Sequence, residues 1–129
     1  MAIKSNPDFA LAHNNLGIAL FHAKMTEEAI DYFKEAIKLN PDFADAHNNL
    51  GAALVAEGKN EEAISHYKMA IKIKPDYVEA HNNLGNALFQ KGEMKEAINH
   101  YREALKLKPD LVAAQKNLEM ALLRSEELE

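Results

Sequence analysis

Six histidines carry most of the reactive chemistry available to this chain, and three of them, His13, His47 and His81, recur at equal intervals. Histidine clusters hold zinc or move protons, but a zinc site needs several ligand atoms within about 2 Å of one point. If the regular spacing sets these three on neighbouring packed helices, roughly 10 Å separates them, so they are expected to pack rather than to share a metal. His22, His66 and His100 sit at unlike or outward positions, and there is no His-x-x-x-His pair. Acyl-transfer chemistry finds no support either. The serines are Ser5, Ser65 and Ser125, none of them in a Gly-x-Ser-x-Gly turn. The pairs Glu27-Glu28, Glu61-Glu62 and Glu126-Glu127 read as exposed helix-start or tail charges, no glycine-rich phosphate loop is present, and cysteine is absent. The expectation is no catalytic residue, no cofactor, no metal and no enzyme activity.

Asparagine gives a more informative series. Asn15, Asn49, Asn83 and Asn117 recur with the same period as the histidines, the first three preceded by Asn14, Asn48 and Asn82. A carboxamide carries an acceptor oxygen and two N–H donors, so it can pair with both the N–H and the C=O of another polypeptide's main chain. An extended strand advances about 3.3 Å per residue, and a helix-to-helix step of roughly 10 Å supplies one such clamp for every third ligand position. The alternative use, in which these amides satisfy neighbouring turns or helices, stays open at this point.

The elements that would position these groups follow from the same period. Prolines fall at 7, 41, 75 and 109, evenly spaced and each followed by Asp. The text His13-Asn14-Asn15-Leu16-Gly17 returns as residues 47–51 and 81–85, and in degraded form as Gln115-Lys116-Asn117-Leu118-Glu119. A second block, Glu28-Ala29-Ile30 with Phe33 and Ala36, returns with Tyr67 and Ala70 and with Tyr101 and Ala104. Leu16, Ala19, Leu20 and Ala23, and then Ala29, Ile30, Phe33, Ala36 and Ile37, have helical spacing. Each unit therefore reads as helix A, a turn at Lys24, Gly58 or Gly92, helix B, and a proline turn that ends helix B. Asp42, Asp76 and Asp110 are expected near the positive ends of the A helices. Gly17, Gly51 and Gly85 are costly inside helices and are expected to allow close approach of backbones.

On these residues the chain resembles the tetratricopeptide repeat, whose unit is about 34 residues long. The resemblance implies an all-α, right-handed superhelical solenoid of antiparallel helix pairs. The divisions would be a truncated repeat tail at 1–7, repeats at 8–41, 42–75 and 76–109, and a capping helix at 110–129. The tail is expected because residues 2–9 match 36–43. Two departures stand out: histidine where the family often has Trp or Tyr in helix A, and Lys24 in place of the turn glycine.

In the family the A helices line a concave groove, and the register here resembles the asparagine-ladder repeats of O-GlcNAc transferase, which hold extended peptides by their main chain. That likeness implies Asn15, Asn49, Asn83 and Asn117 as ligand contacts. Asn14, Asn48, Asn82 and Asn86 are expected to lean toward the same groove, together with Ile18, Ala52, Phe21, Val55, Phe89, His22 and Gln90, although the apolar members fit ordinary core packing equally well. Asp45 and Glu79 would add negative charge at its entrance and favour a neutral or basic peptide over an acidic one. The family's clamp for the C-terminal carboxylate of Hsp70 and Hsp90 is not matched, because Asn14, Glu79 and Asn83 stand where its cations belong and only Asn49 agrees.

The expected function is a protein interaction module that binds an extended peptide. Alternatives are the targeting arm of a larger enzyme such as a glycosyltransferase, and a structural protein that associates with itself through exposed repeat ends. A net charge of −5 over 129 residues disfavours nucleic acid, no apolar run approaches the roughly 18 residues of a membrane span, and the absence of cysteine fits the cytoplasm.

Overall fold

The structure is a computed structural model that describes residues 7–128. Seven helices follow one another: α1 (Pro7–His22), α2 (Thr26–Leu39), α3 (Ala44–Ala56), α4 (Asn60–Ile73), α5 (Val78–Lys91), α6 (Met94–Leu107) and α7 (Val112–Leu128). Each packs against its neighbours in sequence, and α1, α3, α5 and α7 also touch in succession. That contact pattern is a helical solenoid, with A helices on one side and B helices on the other. Residues 1–6 of the expected repeat tail lie outside the described residues.

The core is one continuous ladder. Phe33, Leu50, Leu54, Leu84, Leu88 and Tyr101 are the largest fully buried side chains, at the spacing the repeat dictates. The glycines of the A helices make this packing possible. A Cβ built on Gly17 would stand 2.6 Å from Cε1 of Phe33, on Gly51 2.5 Å from Cε1 of Tyr67, and on Gly85 2.6 Å from Cε1 of Tyr101. The aromatic of each helix B therefore lies directly on the backbone of its own helix A. Glu119 occupies the equivalent position in α7, so the last helix has no bare backbone on which such a ring could rest. At the other end of the stack Leu16 is 44% exposed where Leu50 and Leu84 are at most 1%.

Lys24, Gly58 and Gly92 all adopt left-handed φ, at 64°, 77° and 91°. Glycine adopts this region freely and lysine does not. Lys24→Gly is expected to raise stability by about 1 kcal/mol, read from urea unfolding midpoints, and an unchanged midpoint would mean that the first turn carries no strain.

The proline turns depart from expectation in one respect. The α3 and α5 helices begin two positions after the Asp, with Phe43 and Tyr77 as the residues preceding them, and no side-chain cap is made. Asp42 instead uses its backbone N–H to bond Asn40 Oδ1 at 3.3 Å. The first-turn acids of these helices are Asp45 and Glu79, and they, rather than Asp42 and Asp76, sit at the dipole's positive end.

The turns are locked by the histidines. His47 Nε2 bonds the Pro41 carbonyl at 2.9 Å, His81 Nε2 bonds that of Pro75 at 2.9 Å, and Gln115 Nε2 donates to that of Pro109 at 2.8 Å. The glutamine of the degraded copy thus keeps the turn's donor. Imidazole also carries a second ring nitrogen, which the indole or phenol of the family pattern lacks, and here that atom is used. His66 and His100, expected to be unlike or outward, have their Nδ1 atoms 3.1 Å and 3.2 Å from Nδ1 of His47 and His81. With ring centroids 5.3 Å and 5.4 Å apart, the rings meet nitrogen to nitrogen, because those separations leave room for only one ring radius at each end. In the first repeat Tyr32 takes the partner's place beside His13, with centroids 5.7 Å apart.

Candidate functional site

The asparagines of successive A helices form rungs between repeats. Asn49 Nδ2 donates to Asn14 Oδ1 at 3.1 Å, Asn83 Nδ2 to Asn48 Oδ1 at 3.1 Å, and Asn117 Nδ2 to Asn82 Oδ1 at 3.4 Å. Partners stand 35 apart in sequence, one more than the period, so the doublets Asn48-Asn49 and Asn82-Asn83 each serve both neighbouring repeats. In each, the first amide accepts from the following repeat and the second donates to the preceding one.

Burial divides the two rows. Asn14 and Asn48 are 4% exposed, which corrects the expectation that they lean into the groove: they are packed between A helices, and Asn82 is half-buried. Asn49, Asn83 and Asn117 keep intermediate exposure and Asn15 is exposed. Each donating amide spends one N–H on its rung, which leaves the oxygen and the second N–H of Asn49 and Asn83 for another partner.

The middle rung has a partner outside the ladder. Burial first, then the nearby Asp45 carboxylate, raise the Tyr77 hydroxyl well above the ordinary tyrosine range. Its oxygen accepts from Asn48 Nδ2 at 3.4 Å, and Asn48 turns its own oxygen toward Asn83. Asp45, expected as a charge at the groove entrance, acts on this hydroxyl, while Glu79 lies on the first turn of α5. Lys74 lies over the Tyr77 ring, 4.7 Å from its centroid.

The rungs border a groove of about 710 Å³ on the A-helix side. Asn83, Asn86 and Asn117 supply its amides, joined by Gln90 and Asn60. Ala52, Val55, Ala87, Phe89 and Met120 give it an apolar floor, and Tyr67 and Tyr101 reach it from the B helices. No lining residue is charged. The guanidinium of Arg124 lies 5.4 Å from the Phe89 centroid at one rim. Asn15 and Asn49 are not among its lining residues, and Ile18 and Phe21 pack on the core. The tyrosines, Asn60 and Met120 are lining residues that sequence reasoning misses. For Tyr67 and Tyr101 a signal is present, since each B-helix aromatic keeps a constant offset from the glycine of its own helix A, Gly51 or Gly85.

Among the described residues no group of three or more His, Asp or Glu side chains stands close enough to hold a metal ion, and no helix is long and apolar enough to cross a membrane.

Models of the tetratricopeptide repeat match residues 10–43 and 78–111, another matches 32–65, and a further TPR repeat model matches 53–92. The chain belongs to the tetratricopeptide repeat family. Its fold is the all-α solenoid of that family, and solved structures agree. The first tetratricopeptide domain of Spaghetti (RPAP3), bound to the HSP90 peptide SRMEEVD, superposes with a TM-score of 0.92 at 25% identity, covering 98% of both chains. The Sgt2 tetratricopeptide domain from Aspergillus fumigatus gives a TM-score of 0.88 at 26% identity, over 92% of this chain and 80% of that one. The second tetratricopeptide domain of human RPAP3, in complex with the HSP70 peptide SGPTIEEVD, gives a TM-score of 0.85 at 25% identity, over 90% of this chain and 98% of that one. No curated protein matches the chain.

Proposed function

We propose that this chain is a non-catalytic interaction module that holds an extended peptide along its A helices, with Asn15, Asn49, Asn83 and Asn117 gripping the ligand's main chain. Asn14, Asn48 and Asn82 serve as the inner row that orients these amides. The observation that carries the reading is the set of rungs with one polarity, which presents aligned, partly unspent amides beside an uncharged groove. A main-chain clamp needs such aligned donors and acceptors and no charge of its own.

Two of the similar domains hold the acidic peptides SRMEEVD and SGPTIEEVD, which supports an extended peptide as the class of ligand. An acidic peptide is not the ligand proposed here. Asn14, Glu79 and Asn83 offer no cation, and the groove is lined without one, so a neutral to basic segment with apolar side chains fits better. The compartment proposed is the cytoplasm, where folds held without disulfides are the norm.

Selection from a displayed peptide library tests the reading, using the wild-type chain and an Asn15, Asn49, Asn83→Ala triple variant that circular dichroism shows to be folded. Wild type should enrich peptides that the variant binds about tenfold or more weakly, the worth of one or two net hydrogen bonds. Equal binding by both would make the ladder purely structural.

A second reading, association between copies, is favoured by the apolar side chains exposed on the outermost helices: Leu11 and Leu16 on α1, and Val112, Met120 and Leu123 on α7. A sedimentation coefficient independent of concentration would exclude it.

A further inference from the structure

Asn86 stands apart from the ladder because it is held from two sides. Its Oδ1 accepts from the Tyr101 hydroxyl at 2.7 Å and from Asn117 Nδ2 at 3.0 Å. Tyr101 is 1% exposed, and burial pushes its hydroxyl up to about 12, so it keeps the proton it donates throughout the neutral range. Turning the Asn86 amide over would set its NH2 against the NH2 of Asn117, two donors with no acceptor between them. The oxygen of Asn86 is thus spent within the protein. Its two N–H groups have no partner among the described residues, and the side chain is exposed where it lines the groove.

Asn117 is the converse. Its N–H groups go to Asn82 Oδ1 at 3.4 Å and Asn86 Oδ1 at 3.0 Å, which leaves its own oxygen as an unspent acceptor. This rung has the same polarity as the rung between Asn83 and Asn48. Side by side in one groove, Asn86 offers donors only and Asn117 an acceptor only. A peptide main chain presents the complementary pair, a C=O and an N–H.

The arrangement occurs once. The position of Asn86 is Ile18 in the first repeat, Ala52 in the second and Met120 in the last helix, none of which can donate. A ladder that recurs identically in every repeat holds a peptide without fixing where it starts, whereas a single donor and acceptor of fixed order sets both register and direction.

We propose that Asn86 is a specificity-determining contact that donates to a carbonyl oxygen of the bound peptide while Asn117 Oδ1 accepts a main-chain N–H, and that Tyr101 is the positioning residue that anchors the Asn86 oxygen. The proposal rests on the reading of the groove as a main-chain clamp.

The test uses twelve-residue peptides selected on the wild-type chain, with affinities measured by fluorescence anisotropy and folding checked by circular dichroism. Asn86→Asp keeps an oxygen to accept from Tyr101 and Asn117 but replaces the donors with a second acceptor. It should weaken binding about tenfold or more, and further than Asn86→Ala, because an unpaired acceptor then faces the ligand carbonyl. Tyr101→Phe should weaken binding by about threefold to fivefold, since the amide then loses the shorter of the two hydrogen bonds that hold its oxygen. In wild type the Asn86 side-chain NH2 resonances should shift on peptide addition, and in Tyr101→Phe that shift should be lost, a change that a purely structural tyrosine would not produce. If Asn86→Asp binds as wild type does while the Asn15, Asn49, Asn83→Ala variant fails, the present proposal is overturned and the clamp reading stands. Unchanged affinity and unchanged resonance shifts in Tyr101→Phe overturn its positioning role. If none of the variants loses binding, both readings fall.

Discussion

Gly51→Ala is expected to destabilise the chain by about 1–3 kcal/mol, the range for overpacking a filled core. The new methyl group would stand 2.5 Å from Cε1, 2.8 Å from Cδ1 and 2.9 Å from Cζ of Tyr67. Those atoms belong to a ring that is 3% exposed, so the whole side chain has to move, and α4 with it. Gly85→Ala meets Tyr101 in the same way. The two sites lie in separate hairpins, so their effects should add and together remove much of the roughly 5–15 kcal/mol that holds a small domain folded. Gly58→Ala is the control. Nothing lies within 4 Å of its Cβ position, and only the strain of a φ of 77° opposes it, about 1 kcal/mol. Urea unfolding of the three variants, with Gly51→Ala repeated in a Tyr67→Leu background, separates collision from strain. The Tyr67→Leu background should shrink the cost of Gly51→Ala and leave that of Gly58→Ala unchanged. Equal costs in both backgrounds would show that the ring does not rest on the α3 backbone.

Acidification should destabilise the fold through the two histidine pairs. The carbonyls of Pro41 and Pro75 only accept, so His47 and His81 carry their protons on Nε2. Their bare Nδ1 atoms accept from Nδ1–H of His66 and His100. A first added proton can sit on Nε2 of the outer histidine, but a second must break the bridge. His66 is held below the usual histidine value by burial, then by His47 and, more weakly, Lys34 of α2, while Glu62 on its own helix acts in the opposite direction. His100 is lowered by burial, then by His81 and by Lys68 of α4, against Glu96 and Glu103. A histidine whose native pKa is depressed binds fewer protons folded than unfolded, so stability rises with pH across that interval. The contribution is complete above the unfolded value near 6.5 and is lost as the pH falls below it. Unfolding midpoints should therefore drop between about pH 7.5 and pH 5, and the His66→Gln, His100→Gln double variant should show a smaller drop. An equal drop in the variant would assign the acid sensitivity to other groups.

The repeat made most of the fold legible. Leu50, Leu84 and the bare glycines 51 and 85 can be placed because three aligned copies show which positions never vary within the chain, and Lys24 can be assigned a left-handed turn because Gly58 and Gly92 stand in register with it. What escapes are contacts that cross between elements at other separations. His47 meets His66 and His81 meets His100 across a separation of 19, which depends on how two helices face each other and not on either helix's own periodicity. The rungs span a separation of 35 and Asn86 meets Tyr101 across one of 15. Asp45 reads as a free charge in the sequence, because its influence on the Tyr77 hydroxyl crosses into the next repeat's turn.

Recognition through the main chain is tested most directly with ester analogues of a selected peptide, in which one backbone N–H at a time is replaced by oxygen. The side chains are untouched, so only a contact to the backbone itself can be lost. Substitutions at every third residue should weaken binding by about fivefold to tenfold each, with the intervening positions near neutral. Ester analogues that all bind as tightly as the parent peptide would contradict a main-chain clamp and assign the affinity to side chains in the apolar floor.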